Sequence, residues 1–281
     1  MRHRPIFDSR RHPTAQVTTL THDYANGHFV ERHLHDQDQL IFAVNGVMTI
    51  ETPQGLFVVP ASRAVWVPAH TVHSIRMAGA VHMMTIYLKP RITRQLPRDC
   101  HVVNVSPLLR EIVIHICAMG TLTAHKKSDA PWLAILLEQL GRAKLIPLEV
   151  ALPRDERALR VAQAVMKDPS DRRSLATLCK KSGASKRTIE RSFQHETSMT
   201  FGRWRQQFAL LHAIRRLAAG DNVTTVALEV GYATPSAFIA MFRRALGKTP
   251  SHYFRDDGPT SSPSSSSRRS SLPSSSARTS R

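Results

Sequence analysis

Cysteine is scarce, with three among 281 residues. Cys100, Cys117 and Cys179 show no CxxC or paired spacing. That excludes a cysteine-ligated zinc module and a disulfide framework, and it suits a reducing compartment. Acidic residues are also few, 21 against 39 Lys and Arg. The formal charge of +18 argues against basic partners and for a polyanion. No run of about 18 apolar residues occurs, so no membrane-spanning helix is expected. The opening MRHRPIFDSRRHP lacks the apolar core of a secretory signal. These absences point to the cytoplasm and to no membrane partner.

The length and the 42% hydrophobic content allow two modest domains, each with its own core. Much of the basic excess lies late, with 19 Lys and Arg against nine Asp and Glu in residues 154–256. A merely solvated basic surface is the plain alternative, and charge alone does not choose.

Residues 17–88 read as β. IFAV, GVMTIET, GLFVV, AVWV and VHMMTIYL are short runs rich in β-branched and aromatic residues, which predicts a small sandwich or barrel. Asn45-Gly46, between IFAV and VMTI, predicts a tight hairpin. Residues 93–150 read as helical. Ser106 is the predicted N-cap of a helix beginning at Pro107, with Leu108, Leu109, Ile112, Val113 and Ile116 as its apolar stripe. A second helix is predicted over 131–144, with Leu133, Leu136, Leu137 and Leu140 on one side. The linker is expected at 147–153, followed by a helix over 154–167. Residues 1–15 are expected to be loose. Half of the residues in 258–281 are serine, too polar a composition to fold.

The stretch 174–255 contains two similar units. SLATLCKKSGASKRTIERSFQHE and TTVALEVGYATPSAFIAMFRRALG each run from a short apolar helix through Gly183 or Gly231 into a second, amphipathic helix. That is the helix-turn-helix layout, whose second helix enters the DNA major groove. Ser185 and Thr234 are the predicted N-caps. Ile189 with Phe193, and Phe238 with Phe242, are spaced to face inward. Lys186, Arg187, Glu190, Arg191 and Gln194 are then left to face DNA from the first unit, and Ser236, Ala240 and Arg243 from the second. A predicted helix over 201–219, roughly 28 Å long at ~1.5 Å per residue, could hold the two units about one DNA turn apart.

This stretch resembles the AraC/XylS family of transcription regulators. The matching residues are Ser185, Arg187, Ile189, Arg191 and Phe193, then Ala227, Gly231, Tyr232, Phe238, Phe242, Arg243, Gly247, Pro250, Tyr253 and Arg255. A second resemblance lies in the β half. HLHDQDQLIFAVNG sets His33, His35, Gln39 and Gly46 in an H-x-H-x3-Q-x6-G pattern, and PAHTVH supplies Pro68, His70 and His73. This is similar to the two motifs of a cupin barrel. In metal-binding cupins the ligands are two histidines, a glutamate and a later histidine. By position these are His33, His35, Gln39 and His73, with Gln39 in place of the carboxylate and His70 where glycine is usual. On an extended strand His33 and His35 share a face, and imidazoles suit Zn, Fe, Ni or Cu. The same four residues could instead bind an organic effector, or only pack.

Together the resemblances imply an α+β chain, with a cupin-like β-barrel followed by an all-α domain holding two helix-turn-helix units. The expected divisions are 1–92 for the sensor, 93–150 for a helical segment that either packs on the barrel or forms a dimer interface, 151–256 for DNA binding and 257–281 for a disordered tail. The implied function is sequence-specific transcription regulation answering a small-molecule effector. Double-stranded DNA, RNA polymerase and a second copy of the chain are the implied partners. No cofactor is required, although a divalent metal in the barrel is one option. The competing reading is a metal-dependent cupin enzyme with a helical appendage, its acid or base drawn from Glu31, Asp36 or Asp38.

Overall fold

The computed structural model describes residues 14–123 and 126–254. The basic N-terminal segment to residue 13, Arg255 and the serine-rich tail lie outside the described residues. The strands are β1 (Val17–Tyr24), β2 (Phe29–His33), β3 (Asp38–Ala43), β4 (Val47–Thr52), β5 (Gly55–Pro60), β6 (Arg63–Val67), β7 (His73–Ala78), β8 (Val81–Leu88), β9 (His101–Asn104), β10 (Thr121–Leu122), β11 (Leu145–Ile146) and β12 (Glu149–Ala151). They form two antiparallel sheets, ordered β10-β1-β8-β3-β6-β9-β11 and β12-β5-β4-β7-β2. The cupin-like domain is thus a two-sheet sandwich.

Helix α1 (Pro107–Met119) and helix α2 (Ala130–Arg142) follow β9 and β10 respectively. They cover the outer face of the larger sheet. Leu40 and Phe42 of β3 join Trp66, Leu109 and Ile112 in one cluster, while Ile41 and Ala43 join Ile75 and Met77 in the other. Alternate residues of Leu40–Ala43 therefore feed two different cores, which is why this part of β3 is buried throughout and reads as continuously apolar. Ser106 caps α1, accepting from Leu109 N–H as expected.

The helical domain comprises α3 (Glu156–Lys167), α4 (Leu175–Cys179), α5 (Lys186–Thr197), α6 (Phe201–Ala218), α7 (Val223–Glu229), α8 (Pro235–Leu246) and α9 (Pro250–Tyr253). Ser185 and Thr234 cap α5 and α8 through Thr188 and Ala237 N–H. Ile189, Phe193, Phe238 and Phe242 are fully buried, so the inward spacing read from sequence is observed. Helix α6 also packs across β4, β5, β7 and β12 of the smaller sheet. One apolar cluster runs continuously from the sandwich into the helices.

Three expectations change. Asn45-Gly46 does not close a hairpin, because β3 pairs with β6 and β8 while β4 pairs with β5 and β7. The turn carries the chain from one sheet to the other. Asn45 is bonded to Ala80 O and His82 N–H, and a Cβ on Gly46 would stand 2.5 Å from Ala80 O. These tertiary contacts with the β7–β8 turn displace the local hairpin preference. Second, the segment 93–150 is not only helical: β9, β10, β11 and β12 extend the sheets beyond residue 92. Two- to four-residue strands carry too little periodicity to read. Third, the expected linker contains β12, paired to β5.

Candidate functional site

The sensor histidines come together, but not as two neighbours on one strand. β2 ends at His33, which pairs across to His73 on β7 after a register irregularity between Val30 and His33. His35 lies past the strand end, where its carbonyl accepts from His70 N–H at 2.7 Å. Ring centroids are 4.3 Å apart for His33–His73, 4.9 Å for His33–His35 and 5.6 Å for His35–His73. One ligand atom from each of the three lies within 4.8 Å of the others.

Backbone carbonyls orient two of the rings. His33 Nδ1 donates to Glu31 O at 2.6 Å and His73 Nδ1 to Thr71 O at 2.9 Å. A carbonyl can only accept, so each Nδ1 carries the proton and each Nε2 keeps its lone pair. Nε2 of His35 and of His73 are buried without a partner among the described residues. Burial pushes His35 down to about 3 and His73 down to about 4, and it lowers His33 as well; the neighbouring imidazoles add to the fall at His35 and His73. All three are neutral near pH 7 and available as ligands.

Gln39 is buried on β3, opposite Val67 and Tyr87. The Tyr87 ring lies 5.0 Å from that of His35. Gln39 Oε1 lacks a partner among the described residues, as do the hydroxyls of Thr18 and Thr85. Thr18 faces Tyr87 across β1–β8, and Thr85 has the same strand parity as Tyr87. A polar strip therefore lines the inner face of the larger sheet beside the imidazoles. The sequence reading missed Thr18, Thr85 and Tyr87. The available signal was polar residues at core parity inside VHMMTIYL.

His70 is exposed and does not join the cluster. Its φ of 62° accounts for glycine being usual there, since few side chains accept that conformation. Asp38 does not join either. Its buried carboxylate accepts from Ala69 N–H at 2.8 Å and from the Thr93 hydroxyl, pinning the loop that leads to His73. Glu31 and Asp36 are exposed. No carboxylate joins the three imidazoles among the described residues. Asp38→Ala is expected to cost about 2–3 kcal/mol, the range for charged hydrogen bonds, measured by urea unfolding. An unchanged midpoint would mean the loop holds without it.

The second surface is the outer side of α5 and α8. Lys186, Arg187, Glu190, Arg191 and Gln194 are all exposed on α5, and Ser236, Ala240 and Arg243 on α8. Lys186 Nζ lies 3.6 Å from Glu190 Oε1. Helix α6 joins the two units, its 18 residues spanning ~27 Å. Arg172 from the α3–α4 loop lies over Gly231, where a Cβ would stand 2.4 Å from its Cζ. At φ +84° a side chain there would be strained, and the contact ties the second unit to the α3–α4 loop.

Comparison with known proteins decides the family. A family model for a helix-turn-helix domain matches residues 178–256, and one for an AraC-like ligand binding domain matches residues 15–149. The regulatory protein SoxS of Salmonella typhimurium is 33% identical over 81 residues, 28% of this chain and 76% of SoxS. The chain belongs to the AraC family of transcription regulators. Another AraC-family relative, the HTH-type transcriptional regulator NimR of Escherichia coli K12, is 27% identical over 247 residues, 88% of this chain and 90% of NimR. Among solved structures, ToxT of Vibrio cholerae covers 85% of this chain and 98% of its own, at 11% identity and a TM-score of 0.37. The protein is thus an AraC-family regulator whose ligand-binding domain precedes its DNA-binding domain. No helix among the described residues is long and apolar enough to cross a membrane.

Proposed function

We propose that this regulator senses its effector between the two sheets, at His33, His35 and His73, with the Gln39 amide as a fourth group. The carrying observation is the pair of buried Nε2 atoms on His35 and His73, without a partner among the described residues, in a cluster where one ligand atom of each of the three histidines lies within 4.8 Å of the others. Three neutral imidazoles, two oriented by backbone carbonyls, form a donor set that fits a divalent transition metal. A bound cation would supply a Lewis-acid anchor for an oxygen of an organic effector. Gln39 in place of a carboxylate leaves the set neutral, which supports weaker binding than at a four-ligand anionic site. Titrating chelator-treated protein with Co²⁺, Ni²⁺ or Zn²⁺ tests this reading. One saturable equivalent that disappears in His73→Ala is expected. Absence of uptake would leave the pocket to an organic effector alone.

DNA reading is assigned to α5. Arg187 and Arg191 suit guanine O6 and N7, Glu190 suits cytosine N4, and Gln194 suits adenine. Lys186 suits phosphate. On α8, Ser236 and Ala240 are short and permit close approach, while Arg243 suits phosphate, so this unit contributes position and shape more than base identity. Arg191→Ala is expected to weaken cognate binding by about 1–3 kcal/mol and to relax choice at one base pair. Cognate and scrambled fragments compared at fixed salt decide it, because equal losses on both would make Arg191 a phosphate contact. Action in the cytoplasm on RNA polymerase at the promoter, with no enzymatic step, completes the reading. Leu108 and Ile135, exposed apolar side chains on α1 and α2, support self-association through that helical layer.

A further inference from the structure

A second cavity lies where the sandwich meets the helical domain. β12 forms one wall. It pairs with β5, so that Glu149 stands opposite Phe57. Alternation puts Glu149 and Ala151 on one face, and both line a cavity of about 380 Å³ together with Phe57, Thr71, Cys100 and Leu152. The helical domain grips β12: Trp204 Nε1 donates to Ala151 O at 2.8 Å and Gln207 Nε2 to Glu149 O at 3.4 Å. Glu196, in the last turn of α5, also borders the cavity. Its carboxylate accepts from Arg154 and Asp155 N–H at 2.5 and 3.0 Å. The cavity thus touches the first recognition helix on one side. On the other it touches Thr71, whose carbonyl holds the ring of His73.

Glu149 Oε2 is buried there without a partner among the described residues. Burial raises the Glu149 carboxyl above its ordinary range and pushes the Cys100 thiol up to about 12, as expected of a poorly solvated space. A buried carboxylate oxygen lacking a donor is costly. A ligand bringing N–H groups and positive charge would satisfy it and keep it ionised. Arg98 and Arg154 border the same space, but Arg98 lies 3.9 Å from Asp38 and the two cations are outnumbered by the three carboxylates Asp99, Glu149 and Glu196. A ligand carboxylate would meet Glu149 and Asp99 unfavourably. Phe57, Leu152 and Cys100 offer apolar surface for a ring or a short chain, and the volume is that of an ordinary small-molecule site.

We propose that this interdomain cavity is a second ligand site, separate from the imidazole cluster, which takes a small organic cation such as an amine or amidine on an apolar body and pairs it with Glu149. Because its walls come from both domains, occupancy would bias how α5 is held against the sandwich, and so DNA affinity.

Benzamidine is the probe, with benzoate and benzyl alcohol as comparison arms, titrated calorimetrically into full-length protein. Saturable benzamidine binding is expected, with benzoate silent and benzyl alcohol weaker. Glu149→Gln should weaken benzamidine by about tenfold or more, the scale of a charge-assisted hydrogen bond. A thermal melt of that variant shows whether it folds. If it does not, the wild-type chain still decides by its melting temperature, which a bound ligand raises. Benzamidine, and not benzoate, should raise it in a concentration-dependent way, read by differential scanning calorimetry. Equal binding of benzoate, unchanged affinity in a folded Glu149→Gln, or no rise in melting temperature at saturating benzamidine would each overturn the assignment.

Discussion

Trp204→Ala is expected to remove about 3–5 kcal/mol of stability, the range for truncating a fully buried large aromatic. Trp204 has no exposed surface. Its ring stacks with those of Phe201 and Phe208 at 6.4 and 5.8 Å and meets Phe193 edge-on at 5.3 Å. The substitution opens a void beneath α5 and also removes the hydrogen bond to Ala151 O. A domain is stable by only about 5–15 kcal/mol, so the helical domain should melt well before the sandwich. Trp204→Phe separates the two effects: most of the packing stays, the N–H is lost, and about 1 kcal/mol is expected from the bond itself. Differential scanning calorimetry of the three proteins measures this. A single transition at the wild-type temperature for Trp204→Ala would show that this aromatic cluster does not hold the domains together.

His33→Ala combined with His35→Ala is expected to abolish effector response while leaving basal DNA binding within about twofold, since the α5 and α8 surfaces belong to the helical domain and β2 to the sandwich. Metal uptake should fall by about 10- to 100-fold or more, because losing a direct ligand costs more than losing a group that only orients one. Reporter induction in cells and gel-shift affinity of the purified double variant supply the two readouts. A normal inducible response would reduce these imidazoles to a packing role.

The two helix-turn-helix units were legible because their determinants are local. N-caps at Ser185 and Thr234 and inward pairs such as Ile189 with Phe193 obey spacings that one helix satisfies by itself. The histidine cluster was legible only in its membership. That His33, His35 and His73 belong together came from the motif pattern. How they meet did not, since His35 lies off the strand and His33 reaches His73 through cross-strand pairing and a register shift. Asn45-Gly46 marks the limit from the other side. As a local signal it predicts a hairpin, but Ala80 and His82 bind Asn45 and the chain passes to the other sheet instead.

By itself, then, the sequence carried the resemblance to the family and the four candidate sensor residues through its motifs, and it determined the two helix-turn-helix units and the β character of the first domain, because these depend on periodicity or spacing within a short window. Tertiary structure alone decided the partition of strands between two sheets, the pairing of β9 to β12 after residue 92, the polar strip of Thr18, Thr85 and Tyr87, and the clasp of β12 between β5 and α6. Those features join residues many tens of positions apart, where burial and unsatisfied backbone groups, rather than local preference, set the outcome.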